Sequence, residues 1–233
     1  MIKIRRSEDR GYVDHGWLKA RHTFSFADYF DPQHMRFGPL RVINEDRIAG
    51  GRGFGPHPHK DMEIITFIIS GALQHEDSMG NKSIIRPGEV QKMTAGTGVV
   101  HSETNPDTNQ ETHLLQIWIV PQQSGLKPSY GQKSFASELQ SQSKVLAASR
   151  DGRDGSIQIH QDADVFLFKV RAQASLSHPL KPGRQAWLQI IRGEATIQDQ
   201  AVRGGDGVAV SAEDLLEIVA SAETDAILFD LPT

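Results

Sequence analysis

His57 and His59 stand two residues apart, and so do His101 and Glu103. In an extended segment, residues i and i+2 leave the same face, so each pair can aim two donor atoms at one point. Three imidazole nitrogens and one carboxylate oxygen suit a divalent transition ion, and the donor types admit Fe(II), Mn, Co, Ni, Cu or Zn without choosing among them. Four protein ligands on an ion that prefers five or six leave positions open for water, substrate or dioxygen. A lone H-x-H is a weak signal. The second pair strengthens it, as do Gly51, Gly71 and Gly98, which frame the two segments. Pro58 cannot donate a ladder hydrogen bond, so the first pair belongs on an edge strand or at a bulge. Spacing leaves open whether the carboxylate is Glu103 or Glu63.

Other clusters carry less. His75 and Asp77 share a face but follow a turn-prone Gly71-Ala72, and read as a solvated pair. His22 and His113 read as satisfied structural histidines, with a place near the pocket as the alternative for either. Gly51-Arg52-Gly53-Phe54-Gly55 is not G-x-G-x-x-G and opens no helical pattern, which argues against a nucleotide site. Asp151 to Gly155 lacks the ligand spacing of a calcium loop and reads as a turn.

The elements that must position the two pairs are strands. Ile64 to Ile69, Leu114 to Val120, Val165 to Val170, Trp187 to Ile191, Leu215 to Val219 and Ala226 to Phe229 are short and rich in β-branched or aromatic residues. Turn clusters such as Ser78 to Asn81, Ala95 to Gly98 and Gly204 to Gly207 recur between them, the pattern of an all-β sandwich or barrel. The order of features appears twice. A strand ending in Gly71, then a turn, Pro87-Gly88-Glu89 and a further strand, is echoed by Trp187 to Gly193, a turn, Gly205-Asp206-Gly207 and Val208 to Val210. The expectation is a duplicated β-barrel with a boundary near residue 135: residues 1–134 as a metal-binding domain, residues 135–233 as a related domain without metal ligands. The second half offers only His178 where the first has its His-x-His pair.

Composition bounds the chemistry. The 233 residues carry 25 Lys+Arg against 29 Asp+Glu, a formal charge of -4 with no basic block, so direct nucleic-acid binding is not expected. The absence of cysteine excludes disulfides, thiol catalysis, Cys-ligated zinc and iron-sulfur clusters. No signal-peptide pattern or membrane-spanning apolar run is present, and a cytoplasmic protein is the expectation.

The segments Gly51-x5-His57-x-His59-x3-Glu63 and Gly98-x2-His101-x3-Asn105 resemble the two cupin motifs. HPHKDMEIITFIISG (57–71), HEDSMGN (75–81), MTAGTGVVHSE (93–103) and HGWLKARHTFSFADYFDP (15–32) resemble, more narrowly, the pirin family. The match is dense over residues 11–121 and looser, in the same order, beyond. The resemblance implies a bicupin, two tandem double-stranded β-helix barrels, with one divalent metal per chain held in the N-terminal barrel by His57, His59, His101 and Glu103. It demotes Glu63 to a supporting residue, and it makes Fe(II) the leading metal.

Bacterial proteins of this kind imply quercetin 2,3-dioxygenase activity: cleavage of a flavonol's heterocyclic ring by dioxygen with release of carbon monoxide. Glu103, the one carboxylate expected at the ion, is the candidate catalytic base. Pirins also act as transcription cofactors and modulators of metabolic enzymes, so the alternative is a non-catalytic metal-containing regulator with a protein partner. A flavonol or other aromatic enol and dioxygen are the expected small-molecule partners, and a monomer the expected state.

Overall fold

A computed structural model describes residues 1–233. Nearly all its regular structure is strand, and its one α-helix is the single turn Glu138–Ser141. No helix is long and apolar enough to cross a membrane. The apolar segments read from the sequence lie within the strands Glu63–Ser70, Thr112–Ile119, Asp164–Val170, Arg184–Arg192, Leu215–Ala220 and Thr224–Pro232, apart from Val120 at the end of the second.

The chain divides into two compact units. One comprises residues 11–136 with 159–161; the other comprises 1–10, 137–158 and 162–233. A domain of residues 1–134 therefore needs correction at its start. Ile2–Arg5 pairs antiparallel with Gly207–Val210, with Ile2 opposite Val210 and Arg5 opposite Gly207, so the first strand completes a sheet of the C-terminal unit. A terminal strand takes its partner from tertiary pairing some 200 positions away, which local pattern does not report.

Each unit holds a seven-stranded and a four-stranded sheet. In the N-terminal unit the larger runs Ser129–Ser134, Glu89–Thr94, Glu63–Ser70, Thr112–Ile119, Leu40–Ile48, Leu18–His22, Gly11–Asp14. The smaller runs Gly53–His59, Val99–Thr104, Leu73–Asp77, Lys82–Ile85. The C-terminal unit repeats the smaller sheet as Ser175–Pro179, Leu215–Ala220, Glu194–Ile197, Gln200–Arg203. His178 faces Leu216 there, as His57 faces His101 in the first unit. His178 Nε2 lies 2.9 Å from Asp230, and Lys144 Nζ lies 2.7 Å from His178 Nδ1.

Alternation along the strands explains where apolar core gives way to site. Leu18, Ala20, Ile48, Ile68, Leu73, Ile85 and Leu114 form one buried apolar cluster in the N-terminal unit, and Ile64, Met93 and Val99 form another. On Thr112–Ile119, Leu114 enters the first cluster and Trp118 packs on the second, while Gln116, between them in the same period-2 series, is polar. Burying an amide without partners costs several kcal/mol. Gln116 avoids that by accepting from Thr66 Oγ1 at 3.0 Å and donating from Nε2 to Glu103.

Two glycines are dictated by geometry. Gly71 turns the chain after Glu63–Ser70 at φ +79, where an L side chain is strained. Gly53 passes so close to the neighbouring strand that a Cβ would lie 2.1 Å from the Glu103 carbonyl oxygen and 2.6 Å from Thr104 Cα.

Candidate metal centre

Gly53–His59 is an edge strand hydrogen-bonded to Val99–Thr104 alone, with His57 opposite His101 and Pro58 opposite Val100. Pro58 and Val100 face outward and are exposed, which turns His57, His59 and His101 inward. The imidazole centroids lie 4.8 Å apart for His57 and His59, 4.4 Å for His57 and His101, and 4.8 Å for His59 and His101. One donor nitrogen from each falls within 4.8 Å of the others, close enough to share an ion.

Glu103 comes in differently. The ladder shifts register between His101 and Glu103, and the Glu103 carboxylate groups within 4.8 Å with His101 and His75. His101 thus belongs to both groups. Glu103 nevertheless lines the same cavity as His57 and His59, and both its oxygens accept from Gln116 Nε2, at 3.0 and 2.9 Å.

Electrostatics suit cation binding. Burial, reinforced by the neighbouring His57, lowers His59 to about 4. Burial together with His57, His59 and His75 lowers His101 to about 3. Both rings are therefore neutral near pH 7 and keep the lone pair that a metal requires. Burial raises the Glu103 carboxyl, and the Gln116 hydrogen bonds only partly oppose it.

The donor set passes a direct test of fit. His57 Nδ1 sits 2.8 Å from the Gly55 carbonyl; it donates there, which leaves Nε2 as its free donor atom. His101 Nε2 is buried and has no hydrogen-bond partner. An unpartnered imidazole nitrogen beside two other imidazoles is costly unless an ion takes its lone pair. The residues present fit a divalent metal.

The cavity before these groups measures about 490 Å³, within the range of small-molecule sites. Its walls include Trp17, Phe26, Phe54 and Trp118, while Asn44, Asp46 and Gln116 are polar groups on its lining. Trp118 meets His59 edge to face at 4.9 Å. The spacing of the metal pairs points to none of these residues. The available signal was a polar residue in the inward series of an apolar strand, Gln116 within LLQIWIV and Asp46 within RVINEDRI. Asp46 is buried, and its Oδ1 has no hydrogen-bond partner.

The remaining sequence candidates have definite places. Glu63, fully buried, accepts from Thr94 Oγ1 at 3.0 Å and pairs with His160 at 3.1 Å. His22 Nδ1 meets Asn44 Oδ1 at 2.8 Å, and His113 Nε2 meets Glu45 at 2.9 Å; both are partnered. Asn105 donates to the carbonyls of Ile48 and Gln110 and braces the turn after Val99–Thr104. His75 overturns its expectation as a solvated residue. It is fully buried, with Nε2 3.0 Å from Asp77 and Nδ1 3.4 Å from His101 Nδ1. Leu73–Asp77 is an interior strand of its sheet, and that position removes His75 from water. Burial works to raise Asp77, but hydrogen bonds from His75 and Asn81 outweigh it and hold the carboxyl below its ordinary range.

Known proteins share this architecture. Residues 3–119 match the Pirin family model, and residues 146–231 match that of the quercetinase C-terminal cupin domain. The chain is 44% identical over 232 residues to the quercetin 2,3-dioxygenase of Escherichia coli (strain K12), covering 100% of this chain and 99% of that protein. It superposes on the crystal structure of YhhW from Escherichia coli with a TM-score of 0.96 at 44% identity, covering 100% of this chain and 98% of the other. The bacterial pirin YhhW in complex with nickel(II) gives 0.95 at 44% identity, covering 100% and 99%. YhaK from Escherichia coli gives 0.75 at 29% identity, covering 96% and 98%. With these matches across both barrels, the chain belongs to the pirin family and has its bicupin fold.

Proposed function

We propose that this chain is a metal-dependent dioxygenase that opens the heterocyclic ring of a flavonol such as quercetin, with His57, His59, His101 and Glu103 holding the metal. The observation that carries the reading is the unpartnered His101 Nε2, grouped with His57 and His59 beside an aromatic-walled cavity. The 44% identity to a protein named quercetin 2,3-dioxygenase supports the choice of substrate, and the nickel(II) complex of YhhW supports a divalent ion. Fe(II) remains the leading metal on the resemblance, and the YhhW complex supports nickel among the alternatives.

A divalent ion held by His57, His59, His101 and Glu103 would supply Lewis acidity that lowers the pKa of an enolic hydroxyl. The chain's own residues do the rest. Trp17, Phe26, Phe54 and Trp118 offer faces and edges to a flat aromatic molecule and keep water from it. Glu103, its carboxyl raised by burial, receives the proton of the 3-hydroxyl. Gln116 Nε2, hydrogen-bonded to both carboxylate oxygens, fixes the direction in which Glu103 presents them. Both atoms of dioxygen enter the opened product as one ring carbon leaves as carbon monoxide.

The test is oxygen uptake by protein loaded with one equivalent of Fe(II) or Ni(II), followed together with bleaching of the flavonol absorption. Stoichiometric oxygen consumption with carbon monoxide release supports the reading. Metal-replete protein that leaves flavonols and related aromatic enols intact under air defeats it.

A further inference from the structure

We propose that His75 and Asp77 form a hydrogen-bonded relay behind His101, fixing its tautomer and strengthening Nε2 as a metal ligand. His75 and Asp77 are positioning residues on this view and do not touch the ion. The role presupposes the metal reading given above.

One arrangement gives every nitrogen in this chain of contacts a partner except the one offered to the metal. The Asp77 carboxylate can only accept, so His75 Nε2, 3.0 Å away, carries a proton and donates it. With its ring proton on Nε2, His75 offers Nδ1 as an acceptor. His101 Nδ1 lies 3.4 Å from that atom and is the matching donor across a long hydrogen bond. His101 Nε2 is left bare, and it is the buried nitrogen without a partner. Every other nitrogen in the chain of contacts is used.

The competing arrangement makes His75 itself a ligand, since His75, His101 and Glu103 also group within 4.8 Å. That requires either His75 Nε2 to abandon Asp77 or the two facing Nδ1 atoms to turn to an ion together. The first leaves the buried Asp77 carboxylate without its imidazole donor, and the second leaves His101 Nε2 buried and unsatisfied. The relay leaves no such cost.

The frame is stiff. Asp77 Oδ1 accepts from the backbone N–H of Met79 at 2.9 Å and of Asn81 at 3.1 Å, and Asn81 Nδ2 reaches Oδ2 at 2.9 Å. His75 and Asp77 stand opposite Glu103 and His101 in the ladder, so the strand carrying the relay pairs directly with the strand carrying two proposed ligands. On its other side, the strand pairs with Lys82–Ile85, where Ser83 stands opposite His75. The Tyr130 ring lies 5.0 Å from the His75 ring, and the Tyr130 hydroxyl is tied to Ser83 and Gln132. A carboxylate accepting through one imidazole from another makes the ligating nitrogen more electron-rich, and such outer partners typically govern about 10- to 100-fold in metal affinity.

The experiment measures Ni(II) stoichiometry and dissociation constant by chelator competition for wild type, His75→Leu, His75→Gln and Asp77→Asn. Wild type is expected to bind one Ni(II) per chain. His75→Leu should still bind one, about 10- to 100-fold more weakly. His75→Gln, with an oxygen to accept and an amide to donate, should recover most of that loss. Asp77→Asn should weaken binding about tenfold, and it carries the comparison if the leucine variant does not fold. In Cu(II)-loaded protein, the spin-echo modulation from the remote nitrogen of one ligated imidazole should shift in Asp77→Asn. A purely structural role would leave that signature unchanged. Ni(II) affinity and modulation equal to wild type in Asp77→Asn and His75→Leu overturn the relay. Loss of one coordinated imidazole in His75→Leu by X-ray absorption overturns it in favour of His75 as ligand. Wild type that binds no nickel overturns the metal reading itself, and the relay with it.

Discussion

Glu63 and His160, 97 positions apart in sequence, meet at 3.1 Å between Oε1 and Nδ1, while the other Glu63 oxygen accepts from Thr94. Spacing alone leaves Glu63 as a rival to Glu103 for the metal. The structure gives both its oxygens partners and leaves it outside the groups able to share an ion. Glu63→Gln should therefore retain one metal per chain and lose about 1–3 kcal/mol of stability, the cost of disturbing buried hydrogen bonds. Metal analysis and a denaturant titration check both parts; loss of metal in this variant would restore Glu63 as a ligand.

Glu103→Gln removes a charge and a proton acceptor with little change in volume. Three histidines remain, so metal should stay bound, while flavonol turnover should drop by about 100-fold or more, as expected for loss of a general base. Single-turnover bleaching with metal content measured in the same sample separates the two effects. Unchanged turnover would assign the proton transfer elsewhere.

Gly53 and Gly55 give a matched pair. A Cβ on Gly53 meets the backbone of Glu103 and Thr104, whereas one on Gly55 meets nothing within 4 Å. Gly53→Ala must part the strands carrying His57 and His101, so it should cost about 1–3 kcal/mol and weaken metal binding. Gly55→Ala should resemble wild type in both melting temperature and metal titration.

Asp46 makes stability depend on pH in the metal-free protein. Burial, with Glu103 and Glu45 nearby, raises its carboxyl to about 7 from 3.8. A raised acid favours folding while it stays protonated, and that advantage is lost as pH climbs from the unfolded value through the folded one. The interval corresponds to about 4 kcal/mol as an upper bound. Asp46→Asn should raise the melting temperature of metal-free protein at pH 8 and leave it nearly unchanged at pH 4. A gain independent of pH would point to packing instead.

Asp230 behaves in the opposite sense. Burial works to raise its carboxyl, but hydrogen bonds from His178 and Arg184 outweigh burial and hold it below its ordinary range. A lowered acid contributes stability above its unfolded value, near 4, and loses it as pH falls through the folded value. Asp230→Ala removes this partner from His178 and from Arg184, which keeps the Asp162 carboxylate at 3.1 Å, and should cost about 1–3 kcal/mol at pH 7. The difference from wild type should shrink in urea titrations below pH 4.

The sequence by itself determined the all-β class, the duplication and the two i, i+2 pairs, because strand periodicity and turn residues are local properties. Alternation at Pro58 and Ser102 already put His57 with His59, and His101 with Glu103, on common faces. Tertiary structure decided what lies between distant segments. It placed Ile2–Arg5 in the C-terminal unit, joined Gln116 to Glu103, and paired Glu63 with His160. It also buried His75, whose place in a polar cluster after the Gly71 turn reads as solvated. Whether a polar residue faces water or another buried polar group depends on which strands flank its own, and that pairing is set by contacts far apart in the chain.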